Sequence, residues 1–229
     1  MKDPYIYKDC DALINKASIK DKDKLDEFEN RMTNLAVVLI LKEPLIINST
    51  NDIFTIHQKL FENVYDWAGM PRNIDIYKEE PILNGRSVEY AVHQQIIKEL
   101  KKLDLNYLKN DLKSLKKEDF IHVFTRMIAE IWKVHPFREG NTRTVSVFAL
   151  LFLKQYGYDL NTEFISQNAK YFRNALVMAS IGEYAEYQYL QNILIDAISD
   201  KIEAVKEGKY SKIKDYQINQ YKHVYHKVK

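Results

Sequence analysis

The feature that most constrains this fold is a polar segment, 135–143, standing directly before an apolar run at 145–153. The polar segment reads His-Pro-Phe-Arg-Glu-Gly-Asn-Thr-Arg and brings together an imidazole, a carboxylate, an amide and two guanidinium groups. The apolar run predicts a buried helix, whose N-terminus falls at the polar segment. Because free N–H groups and the positive end of the macrodipole attract anions there, the sequence predicts a phosphate-type site at this helix start.

Composition favours a mainly α fold and excludes several classes of protein. Only 6 glycines and 5 prolines occur in 229 residues, which disfavours a turn-rich β fold. The net charge of +2 gives no electrostatic case for a nucleic-acid or membrane partner. Cys10 is the sole cysteine, so no intrachain disulfide is available. The apolar run 35–41 is too short to span a bilayer, and the N-terminus lacks a signal-peptide core. We therefore expect a cytoplasmic protein.

Apolar spacing and capping residues predict the elements. Asp21, Ser87 and Ser114 stand where helix caps are favoured. Polar and apolar residues alternate from Asn73 to Tyr77, and turn residues follow, which predicts a short β-hairpin at about 71–86 as the only sheet. The predicted helices are 22–42, 52–67, 87–103, 114–134, 142–156, 163–180 and 183–206. We expect one domain over 1–208 and a basic, Tyr-rich tail at 209–229.

Residues 135–146 resemble the signature of the Fic family, His-x-Phe-x-(Asp/Glu)-Gly-Asn-Gly-Arg-x-x-Arg. Two positions depart from it: Thr142 replaces the second Gly, and Ser146 stands at the final Arg. The flanks at 3–5 and 60–73 and the predicted hairpin also resemble short bacterial Fic proteins, so the resemblance runs from about 3 to 200. It implies a Fic-type helical bundle with one β-hairpin flap. The matching positions are His135, Phe137, Glu139, Gly140, Asn141 and Arg143.

This resemblance implies transfer of AMP from ATP to a Ser, Thr or Tyr hydroxyl of a protein, with Mg²⁺. His135 would be the general base, since a neutral imidazole suits that task near pH 7. Glu139 would hold Mg²⁺, a hard cation that prefers one or two carboxylates plus substrate phosphates. Asn141, with the backbone N–H groups of Gly140 and Thr142, would cradle phosphate oxygens. Arg143 would pair with the outer phosphates.

Each of these residues also has a structural interpretation. A histidine before a proline is usually structural, and Glu139 with Arg143 has the spacing of a surface helix pair worth about 0.3–0.5 kcal/mol. The hydroxyl of Thr142 would add a hydrogen bond, or its methyl group would crowd the ligand. Ser146 removes a cation, and the loss of such a contact costs about 1.5–3 kcal/mol.

By the same resemblance, the hairpin is a flap along which a target segment lies as an added strand. Ile74 and Ile76 would clamp the target, or they would merely pin the hairpin to the helices. Some family members are silenced by a helix bearing Ser/Thr-x-x-x-Glu-Gly/Asn. No complete copy occurs here, but Ser211 and Asp215 in the tail have the spacing, and Asp215 would then bind Arg143. A separate antitoxin protein is the competing form of control.

Three functions remain open on the sequence alone. The first is a protein adenylyltransferase, toxin-like, acting on cytoplasmic proteins and on itself. The second is a Fic-fold enzyme that transfers a different phosphate-containing group. The third is a catalytically weak Fic scaffold that binds a nucleotide or a partner. The target protein and the oligomeric state, including a homo-oligomer, are not fixed by the sequence.

Overall fold

A computed structural model of the chain describes residues 3–200 and residue 218. Within this part the fold is mainly α, as predicted, with one pair of short antiparallel strands. The longer helices are α1 (Lys22–Lys42), α2 (Asp52–Phe61), α3 (Ile96–Leu103), α4 (Lys117–Val134) and α5 (Asn141–Gln155). They are followed by β1 (Tyr158–Leu160), α6 (Thr162–Gln167), α7 (Ala169–Met178), α8 (Gln188–Ala197) and β2 (Ile198–Asp200). The predicted domain boundary at 208/209 lies outside the described residues.

The core lies around α4 and α5, which pack on each other. α3 and α8 cover α4, while α2 packs on α5 and on α1. The apolar run predicted to be a buried helix is the body of α5, whose residues 147–153 are all buried. Trp132 of α4 and Phe148 of α5 are fully buried. Because burial of apolar surface is the main stabilising term, this helix pair holds the segment between them, 135–140, in a fixed place.

The first helix begins as the sequence predicts. The side chain of Asp21 accepts a hydrogen bond from the N–H of Lys24, which caps α1. Its buried stripe consists of Leu25, Glu29, Thr33, Ala36 and Ile40. Glu29 is thus a charged residue on the inward face of the helix.

The predicted hairpin at 71–86 is not a regular sheet. Within it the described chain forms a single isolated β-bridge, between Glu80 and Arg86. The strand predicted at 73–77 has no partner strand in the described chain. The two-stranded sheet instead pairs β1 with β2, with Asp159 opposite Ser199. The turn of Pro81–Leu83 is a short 3-10 helix that Asn84 ends with a φ of 56°.

Several predicted helix boundaries are wrong. Ser87 caps no helix: its hydroxyl accepts from the N–H of Lys78 and donates to the carbonyl of Val88. The segment 88–92 is therefore irregular, and a 3-10 turn, His93–Gln95, leads into α3. The helix predicted from Ser114 begins at Lys117, and the one predicted at 163–180 divides into α6 and α7. No helix among residues 3–200 has the length and apolarity that crossing a membrane requires.

Candidate active site at the start of helix α5

The segment between α4 and α5, residues 135–140, is held by its own side chains. His135 ends α4 in the left-handed conformation, with a φ of 50°, which is uncommon for a residue with a side chain. Asn141 then closes the loop: its Oδ1 accepts from the N–H of Phe137 at 3.0 Å, and its Nδ2 donates to the carbonyl of Phe137 at 2.8 Å. The ring of Phe137 is fully buried. We call residues 135–143 the signature loop.

Gly140 is required where the loop meets α5. Its φ is +80°, and a Cβ at this position would overlap the ring of Phe61. Glycine alone adopts this conformation at little cost and brings the backbone this close to a ring. No side chain in residues 3–200 caps α5, so its first N–H groups point into the cavity that Asn141, Thr142 and Arg143 line. This is the arrangement that binds phosphate oxygens.

His135 has the state of a general base. Its Nδ1 lies 3.2 Å from the carbonyl of Trp132, so this nitrogen carries the proton and donates it. Its Nε2 is buried and has no hydrogen-bond partner in the described part of the chain. Burial first, and the nearby charge of Lys78 second, hold the pKa of His135 well below its usual value. The imidazole is therefore neutral near pH 7 with an open acceptor nitrogen.

Two aromatic rings position this imidazole. The ring of Tyr90 lies 4.0 Å from that of His135 between centroids, and the Trp132 ring meets it edge-on at 5.0 Å. Tyr90 in turn donates its hydroxyl to Glu80 at 3.3 Å. Burial raises the pKa of Tyr90, so its hydroxyl stays protonated as a donor. Sequence reasoning missed Tyr90 because it lies in the segment predicted to be helical.

Glu139 is an ionised carboxylate at the cavity. Burial opposes its charge, but Lys78, the N–H of Gly140 and Arg143 together outweigh burial and lower the pKa of Glu139 to about 2. Its Oε1 accepts from the N–H of Gly140 at 2.9 Å, and its Oε2 pairs with Nζ of Lys78 at 3.2 Å. The described residues contain no group of three or more His, Cys, Asp or Glu that would form a metal site by themselves.

Arg143 has an unexpected partner. Its Nη2 pairs with Oε1 of Glu29, the buried acid of α1, whose other oxygen accepts from the hydroxyl of Tyr65. The guanidinium also lies over the ring of Phe61 at 5.0 Å. Its Nη1 is buried without a hydrogen-bond partner in residues 3–200. Glu29 was missed by sequence reasoning, although an acid on the apolar stripe of α1 was a visible signal of a buried partner.

The two departures from the signature both use their hydroxyls in hydrogen bonds within the protein. The hydroxyl of Thr142 accepts from Nε1 of Trp132 at 3.0 Å. Trp132 is fully buried, so this hydroxyl satisfies an N–H that would otherwise lack an acceptor. The hydroxyl of Ser146 donates to the carbonyl of Thr142 at 2.9 Å. Ser146 therefore supplies neither a cation nor a free donor to the cavity.

A buried arginine joins the loop to the segment predicted to be the flap, which we call the flap segment, residues 71–86. Nε of Arg72 donates to the carbonyl of His135 at 2.9 Å, and its Nη1 donates to the carbonyl of Ile74 at 2.6 Å. Its Nη2 donates to the carbonyl of Ala91. The N–H of Arg72 also bonds the carbonyl of Pro136 at 2.8 Å. This side chain anchors the start of the flap segment to His135.

The flap segment divides into two parts: residues 73–79 lie off the hydrophobic core, whereas Ile82 and Leu83 are buried in it. Ile74, Ile76 and Lys78 are half-buried, whereas the residues between them are exposed, so the predicted alternation is present without a partner strand. The two isoleucines do not pack against the hydrophobic core. They line a cavity of about 780 Å³ together with Tyr77, His93 and Arg138. The interpretation that they pin the segment to the helices is therefore not supported.

A second arginine, Arg173 of α7, also lines the cavity. Arg173 forms a two-pronged pair with Glu80, at 2.5 Å and 2.8 Å, and Glu80 is fully buried. The cavity has a volume of about 70 Å³. It is lined by Lys78, Trp132, His135, Glu139, Gly140, Asn141, Thr142, Arg143 and Arg173. The structure thus brings the predicted base, acid and phosphate-binding residues into one cavity with two cations that the sequence did not single out.

The N-terminal segment contacts both the loop and the flap segment. Oδ2 of Asp3 pairs with Nε of Arg138 at 2.7 Å. The hydroxyl of Tyr5 accepts from the N–H of Asn73 at 3.1 Å, and its ring lies edge-on to that of Trp67 at 5.4 Å. The predicted tail residues Ser211 and Asp215 lie outside the described residues.

Comparisons with known proteins agree on one family. Residues 47–153 match the model of the Fic/DOC family. The chain is 28% identical over 214 residues to a protein adenylyltransferase of Bartonella henselae, covering 89% of this chain but 39% of that protein. It therefore spans about two fifths of that relative's length. It is 29% identical to the probable protein adenylyltransferase y4lH of Sinorhizobium fredii, over 81% of this chain and 92% of that one.

A solved structure has the same fold. The N-terminal Fic domain of a VirB-translocated effector protein from Bartonella quintana, with bound ADP, superposes with a TM-score of 0.73. It is 25% identical, and the alignment covers 89% of this chain and 98% of that domain.

Proposed function

Because this chain belongs to the Fic/DOC family, we propose that it is a protein adenylyltransferase, which transfers AMP from ATP to a hydroxyl of a protein. The observation that carries the proposal is His135, a neutral imidazole with an open Nε2 at the uncapped start of α5. The relatives named above are called protein adenylyltransferases, and the related Bartonella quintana domain binds ADP. AMP transfer requires a base and an anion site in this arrangement.

In the proposed reaction the target hydroxyl attacks the α-phosphorus of ATP. A new P–O bond forms to the target oxygen, the bond to the β-phosphate oxygen breaks, and pyrophosphate leaves. Nε2 of His135 takes the hydroxyl proton as the bond forms. The carbonyl of Trp132, which accepts from Nδ1–H, fixes the tautomer and stabilises the imidazolium that results.

The phosphates would lie at the start of α5. The N–H groups of Asn141, Thr142 and Arg143 face the cavity, and the unpartnered Nη1 of Arg143 is one donor for an outer phosphate oxygen. Both polar atoms of the Asn141 side chain are engaged with Phe137, so its main contribution would be to hold the loop. The cavity at His135, of about 70 Å³, is smaller than a nucleotide site of some 300 Å³ or more. Glu139 and Arg143 also line a second cavity of about 490 Å³, into which the nucleotide would extend.

Glu139 fits a magnesium ion that arrives with the nucleotide. It is the carboxylate at the cavity, it is ionised, and Mg²⁺ prefers one or two carboxylates together with substrate phosphates. When bound, the ion would neutralise charge on the phosphates and orient them. Lys78, which now balances Glu139, would be released toward the target or the phosphates.

The flap segment would receive the target. Ile74 and Ile76 line the larger cavity beside the site without packing on the core, so an extended target segment has a surface to contact. The targets would be cytoplasmic proteins, where ATP is available, and such activity would be toxin-like. The site could act on the protein itself as well.

Control of this activity would involve Arg143. We propose that the tail inhibits the site, with Asp215, four residues after Ser211, competing with the γ-phosphate of ATP for Arg143. Truncation after Gly208 would then raise self-modification, and Asp215→Gly would raise it in part. Unchanged activity of the folded truncated protein would leave a separate antitoxin, or a homo-oligomer contact, as the better account.

A second candidate function has one observation in its favour. The cavity is small, and Lys78 lies on Glu139 inside it. A Fic scaffold that binds a nucleotide or a partner without efficient transfer would tolerate such a closed site. Transfer of a different phosphate-containing group is the remaining enzymatic version.

Labelled ATP separates these functions. The purified protein is incubated with Mg²⁺ and either α-labelled or γ-labelled ATP, and protein-bound label is counted. Adenylyl transfer predicts label from the α position only, while phosphoryl transfer predicts label from the γ position. His135→Ala should lower the α-label rate by about 10²–10⁴-fold while the protein stays folded. A wild-type rate in His135→Ala would disprove the assignment of the base.

The metal is tested by calorimetric titration of ATP with and without EDTA. Glu139→Ala should bind Mg·ATP more weakly than wild type and should be insensitive to EDTA. Equal ATP affinity of the wild-type protein and of Glu139→Ala, each with and without EDTA, would place the metal elsewhere.

A further inference from the structure

We propose that Arg173 supplies the second phosphate-binding cation, which the signature carries at its final position and which this chain lacks at Ser146. This inference rests on the proposed function and names a further nucleotide-binding residue for it. It predicts that α7, which is outside the signature, contributes a cation to the same cavity.

The first observation is that position 146 cannot serve. The hydroxyl of Ser146 is bonded to the carbonyl of Thr142 in its own helix. The triphosphate of ATP nevertheless carries roughly four negative charges near pH 7. The uncapped start of α5 and the guanidinium of Arg143 balance only part of this charge. Glu29 also pairs with Nη2 of Arg143, so this nitrogen is not available to the ligand.

The second observation is where Arg173 lies. It lines the cavity with His135 and Arg143, although it comes from α7. Its positive charge contributes to the lowered pKa of His135, and the negative charge of Glu139 contributes to the raised pKa of Arg173. Its side chain is 39% exposed, so an anion that enters from solvent can reach it.

The third observation is that Arg173 is held in a fixed orientation. Glu80 receives both Nη atoms, at 2.5 Å and 2.8 Å, and Glu80 itself is fully buried and also accepts from Tyr90. A guanidinium has five N–H donors, and the pair uses two, which leaves three for another anion. A planar fork that is already oriented loses little entropy when it binds phosphate.

Arg173 could instead serve only to lock the flap segment through Glu80, and the experiment separates the two roles. The reference variant is Glu80→Gln, which keeps the cation but weakens the lock. The test variant is Glu80→Gln with Arg173→Gln, a neutral pair of similar shape that leaves no buried charge unpaired. Each is titrated calorimetrically with Mg·ATP and with AMP, and thermal melting checks the fold.

The expected result is a loss of about 10–100-fold in ATP affinity between reference and test variants, with AMP affinity changed by less than about threefold. AMP lacks the outer phosphates, so it does not need the second cation. Adding Ser146→Arg to the test variant should restore ATP affinity. Equal ATP affinity in the two variants, or an equal loss for ATP and AMP, would overturn the inference and leave Arg173 as a lock.

Two further outcomes are distinguishable. If the wild-type protein binds no ATP, the proposed function fails and this inference with it, whereas wild-type binding with no effect of Arg173 refutes the inference alone. If the test variant does not fold, Arg173→Lys replaces it, because a lysine still pairs with Glu80. The loss of the fork should then weaken ATP binding at least about threefold and spare AMP, and unchanged ATP binding would count against the inference.

Discussion

The signature loop and the flap segment lie side by side but are held by different means. The loop closes on itself through Asn141 and Phe137, and its open polar atoms at His135 and Arg143 face the cavity. The flap segment has one internal bridge, between Glu80 and Arg86. It also has internal hydrogen bonds, such as the one that the hydroxyl of Tyr77 donates to the carbonyl of Gly85, and its buried arginine, Arg72, reaches outside the segment to His135.

This difference indicates a division of labour. Catalytic groups must keep a fixed geometry, so the loop uses short-range hydrogen bonds that a few residues specify. Under the proposed function the flap segment accepts a partner, which agrees with half-buried isoleucines that lie off the core. Substitutions should therefore cost more stability in the loop than at residues 73–79 of the flap segment.

The largest expected effect is at the glycines. Gly140→Ala should lower the free energy of unfolding by about 2–5 kcal/mol, because the left-handed φ and the overlap with Phe61 both add cost. Gly85→Ala in the flap segment is the matched control. It has a φ of +83° and nothing near its Cβ position, so only backbone strain of about 1–2 kcal/mol applies. Chemical denaturation measures both, and equal costs would break the comparison.

The next effect concerns the departure at position 142. Thr142→Gly matches the signature, yet it should destabilise the protein by about 2–4 kcal/mol, since it leaves Nε1 of buried Trp132 without an acceptor and places a glycine in a helix. Thr142→Ser keeps the hydroxyl and should cost less than about 1 kcal/mol. Thermal melting distinguishes them. A Thr142→Gly protein as stable as wild type would mean that the hydroxyl is dispensable.

The loop should also make stability depend on pH. His57 of α2 lies beside the loop: its ring stacks on that of Phe137 at 3.7 Å between centroids, and its Nε2 lies 3.2 Å from the carbonyl of Glu139. Burial is the largest cause that lowers the pKa of His57, to about 3, and burial likewise lowers the pKa of His135. Below about pH 6.5 the unfolded chain binds protons at these histidines while the folded protein does not, so the free energy of unfolding falls as pH falls from about 6.5 toward 3. The slope should reach up to about 1.4 kcal/mol per pH unit for each histidine.

Urea unfolding at a series of pH values measures this slope. His135→Gln should reduce the slope because one of the two buried imidazoles is gone. His122→Gln, at an exposed position on α4, is the control that should leave the slope unchanged. A flat profile in the wild-type protein would show that the two histidines are not buried in solution.

The smallest expected effect on stability is in the flap segment. Ile74→Ala and Ile76→Ala should each change the free energy of unfolding by less than about 1 kcal/mol, because neither side chain packs on the core. They should leave ATP affinity unchanged and lower modification of a protein target. A large loss of stability would show instead that the isoleucines pin the segment to the helices.

The loop was predictable from sequence because its determinants are local. The polar run, Gly140 and the apolar body of α5 all lie within 135–153, and the predicted start of α5 at 142 differs by one residue from the observed Asn141. The pair of Arg143 with Glu29 joins positions 114 residues apart. No spacing rule connects such positions, although an acid on the buried stripe of α1 signals that some partner exists.

The flap segment was less predictable because its neighbours decide its form. Alternation from Asn73 to Tyr77 matches the alternating burial of these residues, but the strand that it predicts is not formed. Ser87 has the composition of a helix cap, yet its hydroxyl is used by Lys78. The carbonyl of Ala91, in the segment predicted to be helical, is used by Arg72. Tertiary hydrogen bonds thus overrode local propensity in this region.

The contacts of Asp3 with Arg138 and of Tyr5 with Asn73 have a practical consequence for handling the protein. Asp3 and Tyr5 thus contact both the signature loop and the flap segment, so a purification tag fused close to residue 3 would crowd the two at once. Activity measured on such a fusion would mix the behaviour of the enzyme with that of its tag. Comparing a fusion with and without a long Gly/Ser spacer reveals this artefact, since a flexible spacer relieves the crowding.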